Sequence, residues 1–111
     1  MADQSKGPSM SRLYVVMLSR GPAWNESQPL EGQVEWRPHA DFMNELHAEG
    51  FVLLAGPLEG TSDVLQIIRA ESPEQIAVRL GEDPWARNGL LWIVRIAPWD
   101  LRIGKAGFSL A

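Results

Sequence analysis

Residues 36–50 read WRPHADFMNELHAEG, and their periodicity sets the architecture on either side of them. Trp36, His39, Ala40, Met43, Leu46 and His47 recur at three- and four-residue intervals, the spacing of one helix face. Phe42 lies off the centre of that face. Asp41, Asn44, Glu45 and Glu49 fill most of the rest. Pro38 suits a first helical turn, where its missing N–H costs little. Gly50 is a natural C-terminal stop. The stretch is therefore expected to be an amphipathic helix with His39 near its start.

Upstream, residues 12–19 (RLYVVMLS) have the length and composition of a strand. Both faces are apolar, with Leu13, Val15 and Met17 on one and Tyr14, Val16 and Leu18 on the other. Such a strand belongs in the middle of a sheet, covered on both sides. Residues 20–32 carry Gly21-Pro22, Asn25, Pro29 and Gly32. A loop of about a dozen residues is long for a compact domain and points to function. Its apolar members are Trp24 and Leu30.

Downstream, residues 51–58 (FVLLAGPL) form a second apolar strand, 59–62 a turn, and 63–70 (DVLQIIRA) a third strand. In Ser72-Pro73-Glu74-Gln75 the serine can cap a helix, the proline occupies its first position and the glutamine can reach back. Pro73, Ile76, Ala77 and Leu80 are the expected buried stripe, and Gly81 the end. Residues 82–89 (EDPWARNG) read as a loop and 90–97 (LLWIVRIA) as a fourth strand. Residues 1–11 are small and polar, a disordered tail by composition. Residues 99–111 show weak alternation at Trp99, Leu101 and Ile103, a C-terminal arm or short extra strand.

The order across residues 12–98 is β-α-β-β-α-β, the ferredoxin-like pattern. Right-handed crossovers put both helices on one face of a four-stranded antiparallel sheet, an α+β fold. The other face is left open, yet strands one, two and four are apolar on both faces. A second copy of the same sheet is the simplest cover, so a homodimer with facing sheets is expected.

Composition narrows the function classes. The 111 residues suffice for one domain with its own core, and 45% hydrophobic and 22% charged residues are ordinary for a globular chain. A net charge of −4, with ten scattered Lys and Arg residues, disfavours a nucleic-acid surface. The absence of cysteine excludes disulfides, thiolate catalysis and Cys-ligated metals. It is also compatible with a reducing cytoplasm, the expected location. No apolar run approaches the roughly 20 residues that span a bilayer, and residues 1–11 contain no apolar signal segment, so no membrane partner is expected. His39 and His47 stand about 12 Å apart along a helix axis, too far to share a metal. Nucleotide-binding and serine-nucleophile signatures are missing. Neither metal nor cofactor is expected.

Two side chains suggest chemistry. His39 is either a structural histidine with a satisfied ring or a general acid–base, a role that suits imidazole because its ordinary pKa of about 6.5 lies near working pH. Asp83 is either a turn residue before Pro84 or the carboxylate that orients such a histidine. Gly56-Pro57 ends a strand, or allows a ligand close to the backbone. Trp24, Trp36, Met43 and Trp85 are candidate walls for a small-molecule pocket. Arg20, Arg37 and Arg87 could hold an anionic substrate, although surface ion pairs are the commoner fate of such residues.

These pieces occur in a familiar order. His39-Ala40-Asp41-Phe42-Met43-Asn44-Glu45-Leu46, then Gly50, Ala55-Gly56-Pro57-Leu58 and Asp83-Pro84-Trp85 resemble the YCII-related family over residues 12–98. The resemblance implies a dimeric α+β barrel of ferredoxin-like subunits, similar in fold to muconolactone isomerases. It also implies an active-site pair at His39 and Asp83. Most members of that family have no assigned reaction, so the resemblance speaks to fold more than to function. The chain departs from the pattern in its N-terminal tail and in the long loop bearing Trp24 and Pro29. Two readings of function follow. One is a cofactor-free acid–base enzyme of isomerase, lyase or dehydrohalogenase type, acting on a small cyclic or aromatic metabolite. The other is a non-enzymatic homodimer that binds a small ligand or another protein.

Overall fold

A computed structural model describes residues 11–104. Strand β1 spans Arg12–Arg20 and helix α1 Trp36–Ala48; β2 is Val52–Pro57 and β3 Asp63–Ala70; α2 is Pro73–Leu80, the short helix α3 is Pro84–Arg87, and β4 is Leu91–Pro98. The four strands form one antiparallel sheet in the order β2-β3-β1-β4. This is the α+β arrangement expected from the hydrophobic pattern, and it is compatible with a ferredoxin-like fold. Residues 1–10 of the expected tail and 105–111 of the expected arm lie outside the described residues. Trp99 donates its N–H to Leu13 O at 2.9 Å, but residues 99–104 form no strand.

The core lies between the helices and one face of the sheet. Tyr14, Val16 and Leu18 of β1 and Ile68 and Ala70 of β3 pack there with Leu46 of α1, Ile76 and Leu80 of α2, and Trp85 of α3. Val16 and Ile68 are completely buried, and burying side chains of this kind contributes roughly 1.5–3 kcal/mol each. Pro73 and Ala77, expected in the buried stripe of α2, are exposed; Ile76 and Leu80 alone carry it. An eight-residue helix makes only two turns, so two residues four apart suffice to seat it. Ser72 caps α2 as expected, through Oγ and the Gln75 N–H at 3.1 Å. The Gln75 side chain reaches one residue beyond the cap, to the Glu71 N–H at 2.8 Å.

The opposite face carries the alternate set. Val15, Met17, Leu65 and Leu54 occupy it by register, together with Trp92, which stands opposite Ser19. Leu54 is 54% exposed and Trp92 52%. Val94, 65% exposed, is the extra residue of a bulge opposite Met17 and Leu18. Leu13 and Ile67, on the same face by register, are buried, so the face is apolar as anticipated but exposed mainly at its β2 and β4 edges.

Helix α1 ends where the sequence places the stop. Glu49 is the C-cap, Gly50 donates to His47 O at 3.0 Å, and Phe51 donates to Leu46 O at 3.0 Å. These two bonds define a Schellman motif, which requires a left-handed residue, and Gly50 has φ of 83°. A Cβ at Gly50 would meet no atom within 4 Å, so its cost there is purely backbone strain. Gly50→Ala is expected to lower unfolding free energy by about 1–2 kcal/mol, measured by urea denaturation. An unchanged midpoint would show that the motif relaxes.

Candidate active site

The site forms where α1 starts and where the loop between β1 and α1 crosses the sheet. Unlike most helices, α1 opens on a left-handed residue: Glu35 has φ 58° and ψ 32°. Glu35 Oε2 accepts from Asn88 Nδ2 at 3.0 Å, and its carbonyl accepts the His39 N–H at 3.1 Å. The preceding carbonyl, Val34 O, accepts from Trp85 Nε1 at 2.8 Å. The chain reversal at Glu35 therefore ties the start of α1 to α3, a link that no side-chain pattern foretold.

Residues 82–89, expected to be loop, contain the single turn α3. Asp83 caps it: Oδ1 accepts the Trp85 N–H at 3.0 Å, with Pro84 at the first position. The same carboxylate holds His39. Nδ1 of the imidazole lies 2.9 Å from both Oδ1 and Oδ2. Asp83 thus fills both roles that the sequence left open, turn former and histidine partner. The helix that meets α1 is α3, whereas α2 packs against β3 and β4.

Both members of the pair are buried. An ionised carboxylate facing Nδ1 draws the ring proton there, which leaves Nε2 as the basic nitrogen. Nε2 makes no hydrogen bond to any described residue. The imidazole plane is held by Trp85, whose ring stacks on it with centroids 3.8 Å apart and planes within 5°. Trp85 is only 1% exposed, and it in turn meets Trp24 edge-on at 5.4 Å and Trp36 at 5.8 Å. The indole thus serves as the plate on which the catalytic candidate rests, more than as a simple wall.

His39 lines a cavity of about 190 Å³. All six residues expected to form a pocket line it: Trp24, Trp36, Met43, Gly56, Pro57 and Trp85. Asp83 does not; it lies behind the imidazole, on a second cavity of about 120 Å³. Gly56 contributes backbone only. It pairs with Leu65 on the outer face, and a Cβ there would point into open space. Of the three candidate arginines, Arg20 lines the cavity, with its guanidinium carbon 4.3 Å from the Trp24 ring centroid. Arg37 pairs with exposed Asp41 at 3.6 Å, and Arg87 is exposed on α3.

Two further residues were not singled out from the sequence. Gln33 is buried in the long loop and spans it with one amide: Oε1 accepts from Asn25 N at 2.9 Å, and Nε2 donates to Asn25 O at 2.7 Å and Gln28 O at 3.1 Å. The 3-10 turn Leu30–Gly32 lies inside the stretch so closed. Gln66 of β3 also lines the cavity. It is 2% exposed, and its Oε1 has no hydrogen-bond partner among the described residues. An acceptor left in that state typically costs about 1–3 kcal/mol. His47, the other histidine, is structural: Nδ1 donates to Val52 O at 2.8 Å.

Among the described residues no three His, Asp or Glu side chains cluster to hold a metal ion, and no helix is long and apolar enough to cross a membrane. Comparisons with family models, curated proteins and solved structures return no match to this chain.

Because the Gln33 amide makes the buried cross-links within the loop that carries Trp24 and Leu30, Gln33→Ala is expected to destabilise the fold by about 1–3 kcal/mol. It should also shift tryptophan fluorescence in the native state. A native spectrum identical to wild type would mean that the loop has another anchor.

Proposed function

We propose that this chain is a cofactor-free acid–base enzyme acting on a small cyclic or aromatic metabolite. The observation that carries the reading is the His39 ring, held at Nδ1 by both oxygens of Asp83 at 2.9 Å and lining a cavity walled by tryptophans. Nε2 takes a proton from an acidified carbon of the bound ring. The imidazolium that forms is stabilised by the Asp83 carboxylate and by the face of Trp85. Returning the proton to a second atom gives an isomerase; loss of a substituent in place of that return gives a lyase or dehydrohalogenase. The ordered match to the YCII-related pattern at His39, Gly56-Pro57 and Asp83 is consistent with this reading, and membership of that family belongs to the same proposal.

Deuterium uptake from D2O, followed by proton NMR across a panel of small ring lactones and ring acids, reads proton abstraction without knowledge of the product. His39→Ala is expected to reduce exchange by about 10²–10⁴-fold on whichever compound the wild type labels. Asp83→Asn keeps an oxygen to cap α3 but removes the charge that holds Nδ1, and is expected to lose turnover in a protein that still folds, checked by circular dichroism. A folded His39→Ala variant with full exchange would remove the acid–base reading and leave a binding module.

The second part of the proposal is a two-fold dimer through the outer face of the sheet, which would close an α+β barrel. Its support is the apolar outer face, which exposes Leu54 at its β2 edge and Trp92 and Val94 at its β4 edge. Light scattering is expected to give twice the chain mass of 12.3 kDa. The double variant Leu54→Asp, Val94→Asp is expected to give the single-chain mass. A monomeric wild type at micromolar concentration would rule the dimer out.

A further inference from the structure

We propose that the cavity selects a single-ring acid, one whose carboxylate pairs with Arg20 and whose hydroxyl or N–H group donates to Oε1 of Gln66. The inference rests on the site reading above and names the substrate class for it.

Gln66 is the starting point. Its side chain lies on the helix-facing side of β3, because it pairs with Val16 of β1 and Ala55 of β2. Gln66 lines this cavity and the second one behind His39, and its Oε1 is buried between them without a partner among the described residues. Buried acceptors are almost always paired in a finished structure. A group on the ligand that donates one hydrogen bond would complete this one.

Arg20 marks the other end. It stands four residues beyond Val16 on β1, which places it about 13 Å from the Gln66 row along the sheet. Among the described residues no carboxylate pairs with its guanidinium. The planar fork of an arginine stacked on an indole suits a carboxylate better than it suits water. Side chains reaching inward from both ends leave a span of about one substituted ring. The volume agrees: about 190 Å³ is close to the roughly 150 Å³ that accepts a benzene molecule in an engineered apolar cavity. Between the two polar ends the lining is Trp24, Trp36, Met43 and Trp85, which recognise a flat apolar body. His39 lines the same cavity, so a ring bound there lies within reach of its imidazole.

Binding separates this inference from turnover. Three probes are used with the full-length protein in isothermal titration calorimetry: 4-hydroxybenzoate, benzoate and phenol. Wild type is expected to bind 4-hydroxybenzoate at least about 10-fold more tightly than either of the others. Gln66→Leu is expected to erase the preference for 4-hydroxybenzoate over benzoate. Gln66→Met is a second variant of similar volume, in case leucine packs poorly. Arg20→Gln is expected to weaken both carboxylates by a similar factor and leave phenol unchanged. A hydroxyl preference that survives both Gln66 variants would overturn the assignment of Gln66. Equal loss of all three probes in Arg20→Gln would overturn the carboxylate end, and no binding of any probe by wild type would overturn both. His39→Ala is included as a control: binding retained without deuterium exchange supports both readings, whereas exchange retained with no ring-acid preference refutes this one alone.

Discussion

The structure around the cavity depends on one buried carboxylate. Asp83 receives three contacts at 2.9–3.0 Å, two from the imidazole of His39 and one from the N–H of Trp85. A buried anion is tolerated only where donors converge on it. Here the donors come from two different elements, so satisfying the charge also joins α3 to the start of α1. The consequence reaches further than the pair. Capping by Asp83 starts the single turn that carries Trp85, and Trp85 then supplies the surface on which the imidazole lies flat. Tautomer, ring plane and local backbone are all set by one side chain.

A cavity beside this pair is a result of topology. The C-terminal ends of β1 and β2 and the N-terminal ends of β3 and β4 lie at the same end of the sheet, contributing Arg20, Gly56-Pro57, Val64 and Leu91 to the lining. Helix α1 covers this region from one side, with Trp36, His39 and Met43. Trp85 of α3 adds a second side, and α2, which packs elsewhere on the sheet, leaves the remaining wall open. The long loop supplies it with Trp24 and Leu30. Gln33 makes this possible by giving the loop backbone partners that a sheet or helix would otherwise provide. Loop length thus follows from the size of the gap that it fills.

Much of this is legible in the sequence. Period-two and period-3.6 patterns are strong in long apolar segments, so all four strands and both long helices fall where periodicity puts them. The tryptophans of the pocket were legible for a different reason: large aromatic side chains in a loop or at a helix start have few places to go, and Trp36 and Trp85 meet the imidazole while Trp24 meets Trp85. Helix α3 was missed because four residues carry no periodicity; the Asp-Pro signal marks a cap as readily as a turn. Glu35 was missed because a left-handed glutamate has no compositional mark. It is held by bonds to Asn88 and His39, far along the chain or a turn away.

Gln66 shows where sequence reading loses power and what restores it. In DVLQIIRA the alternation assigns Val64, Gln66 and Ile68 to one face, and the residues on either side of the glutamine are apolar. That face proves to be the inner one, since Val64 packs against the core and Ile68 is completely buried. A polar side chain on the inner face of a strand is a local conflict, and conflicts that persist tend to sit at functional positions. The conflict alone does not say what Gln66 meets. The register does: Val16 on one side and Ala55 on the other put it on the strand next to the edge, beneath the residues that approach from α1. Arg20, His39 and Gln66 come from β1, α1 and β3, and none is near another in the chain. Their convergence on one small cavity is a property of strand pairing, which no spacing rule along a single chain can express.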